Sequence, residues 1–312
     1  MEILNNWLLM AVITPTFWAM ACVLDSCLIG SNVYRKASDG AIVSCLFCIA
    51  PAALALGMDF STLTSVLNVY GIPVTAIAAG LAYAAHLFFY FRSLHCLNDV
   101  SGAETFIALS VLFVPFFAWV LLGERLPGRY YLAFVIAASG VLVQCWPIIR
   151  KAGLHLLANM LVTMVTVSLS MVLQSSALES HGFTASTVLF NLTVFLVAVV
   201  ALLSNHRTRR RMRKLIRRYP AVLVLGEILG VLAVVSSHRA TQQGPSVSIV
   251  ALIECLLPLI IIAISSALIL FNRYWPMLSR RHLRTLKMQL QGVPTKIGAV
   301  ALLMISLSIL TF

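Results

Sequence analysis

One stretch of the sequence decides the fold class: residues 102–122 read GAETFIALSVLFVPFFAWVLL. The stretch contains one charged residue, Glu104, and as a helix it is long enough to cross a hydrocarbon core of about 30 Å. A second stretch, residues 245–271, reads PSVSIVALIECLLPLIIIAISSALILF and also contains one charged residue, Glu254. Neither alternates with period two, as the strands of a membrane barrel do, so both predict transmembrane helices.

The composition extends this prediction to the whole chain. Of the 312 residues, 61% are apolar and 10% are charged, whereas soluble domains have about 45–50% apolar and about 25% charged residues. A soluble or disordered protein is therefore excluded. We expect an all-α polytopic membrane protein without a soluble domain. Ten spans are predicted, near residues 7–30, 40–57, 71–92, 102–122, 130–149, 153–175, 184–204, 219–238, 245–271 and 293–311.

The net charge of +12 is concentrated locally, because eight of the 22 basic residues lie between Arg207 and Arg218. We interpret this segment as a basic cytoplasmic loop near 205–218, and we expect no nucleic-acid partner because no soluble module accompanies it. Loops after odd-numbered spans contain most of the other basic residues. The positive-inside rule then places both termini outside the cytoplasm.

Motifs for other kinds of chemistry are missing from the sequence. The seven cysteines lie mostly in apolar runs, and the pair Cys45 and Cys48 is interpreted as packing rather than as half of a metal site. No phosphate-binding loop, nucleophile elbow or zinc-protease motif occurs. The first apolar stretch has spanning length and lacks a positive leader region, so no cleavable signal is expected. We predict no enzyme activity, no metal and no cofactor.

An internal repeat relates the two halves of the chain. Ala108-Leu109-x-x-Leu112-x-x-Pro115 recurs as Ala251-Leu252-x-x-Cys255-x-x-Pro258. Arg92 and Arg239 end the third and eighth spans, and Ala133 and Gly140 match Ala299 and Ser306. The halves are residues 1–150 and 151–312, with five spans each. Because five is odd, the second half enters the membrane inverted, which is an architecture of secondary transporters.

Four segments together resemble one transporter family: 111–126 (VLFVPFFAWVLLGERL), 137–142 (AASGVL), 244–258 (GPSVSIVALIECLLP) and 296–299 (KIGA). In order and spacing they resemble the drug/metabolite transporter superfamily, in its EamA-like ten-helix branch. The resemblance implies a carrier of small metabolites, commonly an exporter, that works by alternating access. It also implies a central cavity lined by helices 1, 3, 4, 6, 8 and 9. The chain departs from the family pattern in two ways. Its second half lacks a Gly-Glu counterpart after its fourth span, and its basic residues place the termini outside the cytoplasm, whereas family members often have cytoplasmic termini.

Acidic residues within the spans are the first candidates for a site. A charge at bilayer depth costs about 2.5–3.5 kcal/mol, so these side chains are expected to face the bundle interior. Each could bind and release a proton or pair with a cationic substrate; the alternative is a hydrogen bond that joins two helices. The candidates are Asp25, Glu104, Glu227 and Glu254. For Glu124, beside Arg125, we expect a structural cap or a surface ion pair.

Polar and aromatic stripes add further candidates. Asn159, Thr163, Thr166, Ser170 and Gln174 share one face of the sixth span, which predicts a cavity lining; tight helix packing is the alternative. Tyr83, His86 and Tyr90 share one face of the third span, where aromatic rings could stack on an organic cation; an interfacial belt is the alternative for Tyr90. Trp18 lies seven residues before Asp25 on the same face.

These patterns together predict a secondary-active exporter in the inner (plasma) membrane. The expected substrate is a small organic metabolite such as an amino acid, a polyamine or a drug, with the proton as candidate coupling ion. The expected partners are that substrate and the lipid bilayer, and the chain is a monomer or homodimer. Three alternatives stay open: an uptake or exchange carrier, a membrane-embedded lipid-modifying enzyme, and a non-transporting interaction protein.

Overall fold

The computed structural model describes residues 6–58, 73–97, 99–150, 153–274 and 279–290, together with 298, 302, 305–306 and 308–309. The described residues form helices and no strand. In chain order the helices are α1 (Trp7–Gly30), α2 (Ala37–Phe47), α3 (Ile49–Met58), α4 (Val74–Leu97), α5 (Val100–Ile107), α6 (Ser110–Phe117), α7 (Gly128–Ile149), α8 (Leu154–Ser204), α9 (His206–Arg218), α10 (Pro220–Gln243), α11 (Val247–Glu254), α12 (Leu257–Tyr274) and α13 (Arg280–Gln289). A π-helical turn, Ala118–Leu122, follows α6.

The all-α, multi-pass class is confirmed. Over the described residues, eight helical segments are long and apolar enough to cross a membrane. They lie at nine of the ten predicted spans, because α8 covers the sixth and seventh spans together. The tenth predicted span, 293–311, lies largely outside the described residues. Of its described positions, the fully buried Ser306 donates a hydrogen bond of 2.7 Å from Oγ to the carbonyl oxygen of Ala133 in α7.

Helix α8 is a hairpin of two arms rather than one rod. Its 51 residues would measure about 75 Å as a straight helix, more than twice the thickness of a hydrocarbon core. Gly182 interrupts it with φ 74° and ψ 176°, a conformation essentially restricted to glycine. The chain then turns back, and Ser186 Oγ donates a hydrogen bond of 2.6 Å to the carbonyl oxygen of Ala177. The break therefore separates the predicted sixth and seventh spans.

Two spans are broken in the middle. The α5–α6 span is interrupted at Ala108 and Leu109, and the α11–α12 span at Cys255 and Leu256. At both breaks, backbone N–H groups bond three residues back, as Val111 does to Ala108 and Leu259 to Leu256. The two broken spans meet at these points, because Cys255 Sγ donates a hydrogen bond of 3.4 Å to the carbonyl oxygen of Ala108.

The two broken spans run antiparallel. Ser246, which caps the start of α11, donates a hydrogen bond to the carboxyl of Glu124, just beyond the π-helical turn at the end of the first broken span. Glu124 therefore has a structural role, but its partner is Ser246 instead of the expected Arg125. Gly123, in the left-handed region with φ 68°, ends the π-helical turn and brings Glu124 to this position.

Helices α1 and α10 also pack antiparallel. A β-carbon at Gly226 would lie 3.2 Å from the side chain of Leu24, and one at Gly244 would lie 3.5 Å from the ring of Trp7. Helix α4 packs between the arms of α8: Ser170 Oγ donates to the carbonyl oxygen of Ala79 at 2.9 Å, while Gly80 lies directly against the backbone of the second arm. These helix pairs surround a space in the middle of the bundle.

Both basic helices, α9 and α13, lie at the same end of the bundle, which we call the basic end. Arg211 of α9 forms an ion pair of 2.7 Å with Asp39, whose carboxylate also accepts the backbone N–H groups of Arg35 and Lys36. Residues 208, 212 and 215 form the buried face of α9, at the spacing of one helical stripe.

Helix α13 is anchored at the basic end through its last residue. Gln289 is almost fully buried and accepts the backbone N–H of Ser101 at 2.7 Å, while its amide nitrogen donates to Ser26 Oγ at 3.2 Å. We call this pair of contacts the Gln289 latch. It joins the end of α1 to the start of α5.

Candidate functional site

The bundle surrounds a central cavity of about 180 Å³. Its walls come from α1, α2, α3, α4, α5, α10, α11 and α12 and from both arms of α8. The resemblance implied helices 1, 3, 4, 6, 8 and 9. All six predicted spans contribute, and the second span is an addition, through Ser44, Phe47, Cys48 and Pro51, as is Phe190 of the seventh span.

All four predicted intramembrane carboxyls line this one cavity: Asp25, Glu104, Glu227 and Glu254. Neighbouring side chains hold three of them in place. Glu104 Oε1 accepts a hydrogen bond from Cys22 Sγ at 3.2 Å, Glu227 Oε1 accepts from Ser44 Oγ at 3.1 Å, and Glu254 Oε1 accepts from Ser237 Oγ at 3.0 Å. Each of these three carboxyls is thus held by a neighbouring side chain and has acceptor sites left for a ligand.

The predicted aromatic stripe of α4 forms one wall of the cavity. The rings of Tyr83 and His86 stack with centroids 5.7 Å apart, and those of His86 and Tyr90 stack at 6.0 Å. His86 Nδ1 donates to the carbonyl oxygen of Thr163 at 3.2 Å, because a carbonyl can only accept. Trp18 also lines the cavity, where a β-carbon at Gly230 would lie 3.9 Å from both its ring and Glu227 Oε2.

The predicted polar stripe of the sixth span is only partly a cavity lining. Ser170 and Gln174 line the cavity, but Asn159, Thr163 and Thr166 do not. The hydroxyls of Thr163 and Thr166 donate to backbone carbonyls of their own helix, at 2.8 Å and 2.7 Å, and Asn159 is buried in helix packing. The stripe lies on one face, but the cavity reaches only the part of it near Gly182.

Gln174 has a distinctive environment. Its side chain is 3% exposed, and neither its amide nitrogen nor its amide oxygen has a hydrogen-bond partner. A buried amide without partners costs free energy, so such a group in a cavity wall is suited to a ligand that supplies them.

Several lining residues were not predicted from the sequence. Cys22 links Tyr90 to Glu104, since the Tyr90 hydroxyl donates to Cys22 Sγ at 3.4 Å. Ser44 and Ser237 hold the other carboxyls. His238 lines the cavity and hydrogen-bonds with Thr187 at 3.1 Å. The polar triplet 236–238 within an apolar span was the sequence signal for Ser237 and His238.

The charge of the cavity has one sign. Its described lining contains four carboxyls and two histidines but no lysine or arginine. Arg92 is exposed, and Arg239 packs over the ring of Phe183 at 3.8 Å outside the cavity. Among the described residues, no group of His, Cys, Asp and Glu side chains is arranged to hold a metal ion. The cavity thus combines acidic groups with aromatic rings, both of which attract organic cations.

Comparisons with known proteins bear on the fold alone. No protein-family model matches the chain, and no curated protein matches it. A solved structure described as "Crystal structure of protein" is similar to it, with a TM-score of 0.55 over 96% of both chains and 16% sequence identity. At this identity the likeness supports a common fold and says nothing about a substrate.

Proposed function

We propose that the chain is a secondary transporter that exports small organic cations in exchange for protons. The observation that supports this most strongly is the central cavity, in which four carboxyls and an aromatic wall occur without a lysine or arginine in the described lining. A buried carboxyl that has no positive partner in the protein is suited to bind either a proton or a cationic ligand.

The broken spans support alternating access. Discontinuous helices near the bilayer midplane form the substrate sites of many secondary transporters. Here Glu254 ends α11 directly before one break, and Ile107 ends α5 directly before the other, and both residues line the cavity. Movement of one broken span against the other would therefore change the shape of the site itself.

We further propose that the two halves form an inverted repeat of ten helices, as in EamA-like transporters. The antiparallel course of the two broken spans, with Ser246 at Glu124 and Cys255 at Ala108, supports it. The second break lies one helical turn later than the first relative to the shared motif. The basic end is assigned to the cytoplasm of a cell whose plasma membrane contains the protein, because cytoplasmic loops are enriched in Lys and Arg.

In the proposed cycle, protons and the substrate compete for the same carboxyls. A cation from the cytoplasm binds to ionised carboxyls and displaces protons. After the cavity opens to the other side, protons bind, neutralise the carboxyls and release the cation. Cation binding should therefore weaken as pH falls, because protonation removes the negative charge that the cation requires.

Ethidium, a fluorescent organic cation, can be used to test this competition between protons and substrate. Protein reconstituted into liposomes is expected to transport ethidium when a pH gradient is applied, and to move protons in the opposite direction. In Glu227→Gln, loss of a charged contact worth about 1.5–3 kcal/mol should lower the initial rate of ethidium transport by about tenfold to 100-fold. Glu254→Gln removes a second proton-binding carboxyl and should lower the proton flux. Ethidium uptake and an internal pH dye report the two fluxes.

Glu179→Gln is the matched control, because Glu179 is exposed and lies outside the cavity. It removes the same charge from the same chain and should leave both fluxes unchanged. Equal fluxes in the wild type, Glu227→Gln and Glu254→Gln, with all variants folded, would refute the proposal.

A further inference from the structure

The cavity carboxyls lie at two levels along the membrane normal. The separation of the two levels can be measured along α10. Glu227 and Ser237 are ten residues apart on this helix, and a helix rises about 15 Å over that length. Because Ser237 Oγ lies 3.0 Å from Glu254 Oε1, Glu254 is located near the far end of the cavity from Glu227.

Three carboxyls gather at the level of Glu227, and we call them the acidic cluster: Asp25, Glu104 and Glu227. Cys22, whose thiol contacts Glu104, is three residues before Asp25 and so lies on the same face of α1. Leu24 packs against Gly226, which brings Asp25 next to Glu227, and Asp25 is also close enough to Glu104 for the two charges to interact. Glu254 is therefore separate from the cluster.

The space between the two levels fits an extended chain. The stacked rings of Tyr83, His86 and Tyr90 offer an apolar face along it, and Trp18 lies near the acidic cluster. Gln174, buried and without hydrogen-bond partners, adds an amide in the same cavity. An alkyl chain can pack on the rings, while the Gln174 carbonyl can accept a hydrogen bond from a secondary ammonium group within that chain.

We propose that the substrate class is a linear polyamine, with one terminal ammonium group at the acidic cluster and the other at Glu254. With each ammonium nitrogen about 2.8 Å from its carboxylate, the two nitrogens would lie about 10 Å apart. This inference rests on the proposed function and narrows it, because a compact monocation would use one level of the cavity and leave Glu254 without a charged ligand.

The test compares amines of graded length in titration calorimetry on the purified protein in detergent. The probes are 1,4-diaminobutane, 1,8-diaminooctane, spermidine and the monoamine 1-aminooctane. We expect 1,8-diaminooctane to bind at least tenfold more tightly than 1-aminooctane and than 1,4-diaminobutane. We expect spermidine to lose affinity in Gln174→Leu, which removes the amide and keeps the volume similar.

Glu254→Gln should bring the affinity ratio of 1,8-diaminooctane to 1-aminooctane down to about one, and Glu179→Gln should leave that ratio unchanged. Ser237→Ala serves as a second variant, because it removes the donor to Glu254 and retains the carboxylate. Equal affinities for diamine and monoamine in the wild type would overturn the inference. So would an unchanged ratio in a folded Glu254→Gln protein.

The two proposals fail in distinguishable ways. If ethidium crosses the membrane against protons but the second amino group adds no affinity, the polyamine inference is wrong and the transport proposal stands. If no amine binds and no ethidium moves, the proposed function itself is wrong.

Discussion

Ser246 makes two contacts that hold the second broken span in place. Its hydroxyl accepts the backbone N–H of Ser248 at 3.1 Å, which caps α11, and it donates to the carboxyl of Glu124 in the first half. Ser248, two residues further on, is fully buried, and its hydroxyl has no partner. One hydroxyl thus joins two spans, and its neighbour joins none.

Ser246→Ala should therefore destabilise the protein by about 1–2 kcal/mol, through loss of the helix cap and of the contact with Glu124. Ser248→Ala should be neutral or slightly stabilising, since an unsatisfied hydroxyl is removed. Unfolding in mixed detergent micelles, followed by circular dichroism, measures both. Equal losses of stability would contradict the role assigned to Ser246.

Among single residues, charge is the signal in the sequence that indicates the cavity. A carboxyl in an apolar span costs free energy, so the sequence indicates that such residues have a role in the bundle interior. All four carboxyls of this kind line the cavity: Asp25, Glu104, Glu227 and Glu254. The sequence does not distinguish Cys22, or the serines that hold the carboxyls, because cysteine and serine are ordinary residues in membrane helices. Whether such a residue lies at the cavity depends on packing between spans that are distant in sequence.

Gly182 determines that α8 is a hairpin. Alanine in its conformation, φ 74° and ψ 176°, should cost about 1–3 kcal/mol. We therefore expect Gly182→Ala to lower the free energy of unfolding by that amount, measured by denaturation in detergent. Gly128→Ala is the control, because Gly128 has open space around its β-carbon position and begins α7. It should be neutral or stabilising by up to about 1 kcal/mol. A similar response of both variants would argue against the turn.

Hydropathy predicted the spans well, but it could not predict where they break. Proline removes the helical hydrogen bond to the residue four positions before it, and the break at Cys255 and Leu256 lies in the turn before Pro258. The break at Ala108 and Leu109 lies more than one turn before Pro115, so that proline does not account for it. The contact between Cys255 and Ala108 joins residues 147 positions apart, so no local pattern could indicate it.

The Gln289 latch joins α1 to α5 at the basic end, next to the acidic cluster, since Ser26 follows Asp25 and Ser101 precedes Glu104. Gln289→Leu removes both contacts, each worth about 1 kcal/mol. Backbone amides at 99–107 should then exchange with deuterium about tenfold faster or more, as measured by mass spectrometry. Lys287→Leu, at an exposed position of the same helix, should leave exchange unchanged. Unaltered exchange in Gln289→Leu would exclude a latch.

The basic residues predicted which loops share one side, and the structure groups α9 and α13 at one end accordingly. The latch itself could not be predicted, because α13 looks like an ordinary basic surface helix in the sequence. Its buried residues, Thr285, Leu286 and Gln289, are few, and their partners lie in the first half of the chain.

The latch also has a consequence for how the protein is made. A ribosome adds residues from the amino end, and Gln289 follows Leu257, the last described residue of the cavity wall. A nascent chain therefore contains every described cavity-lining residue before it contains the side chain that joins α1 to α5. During synthesis this connection is absent until residue 289 has been added.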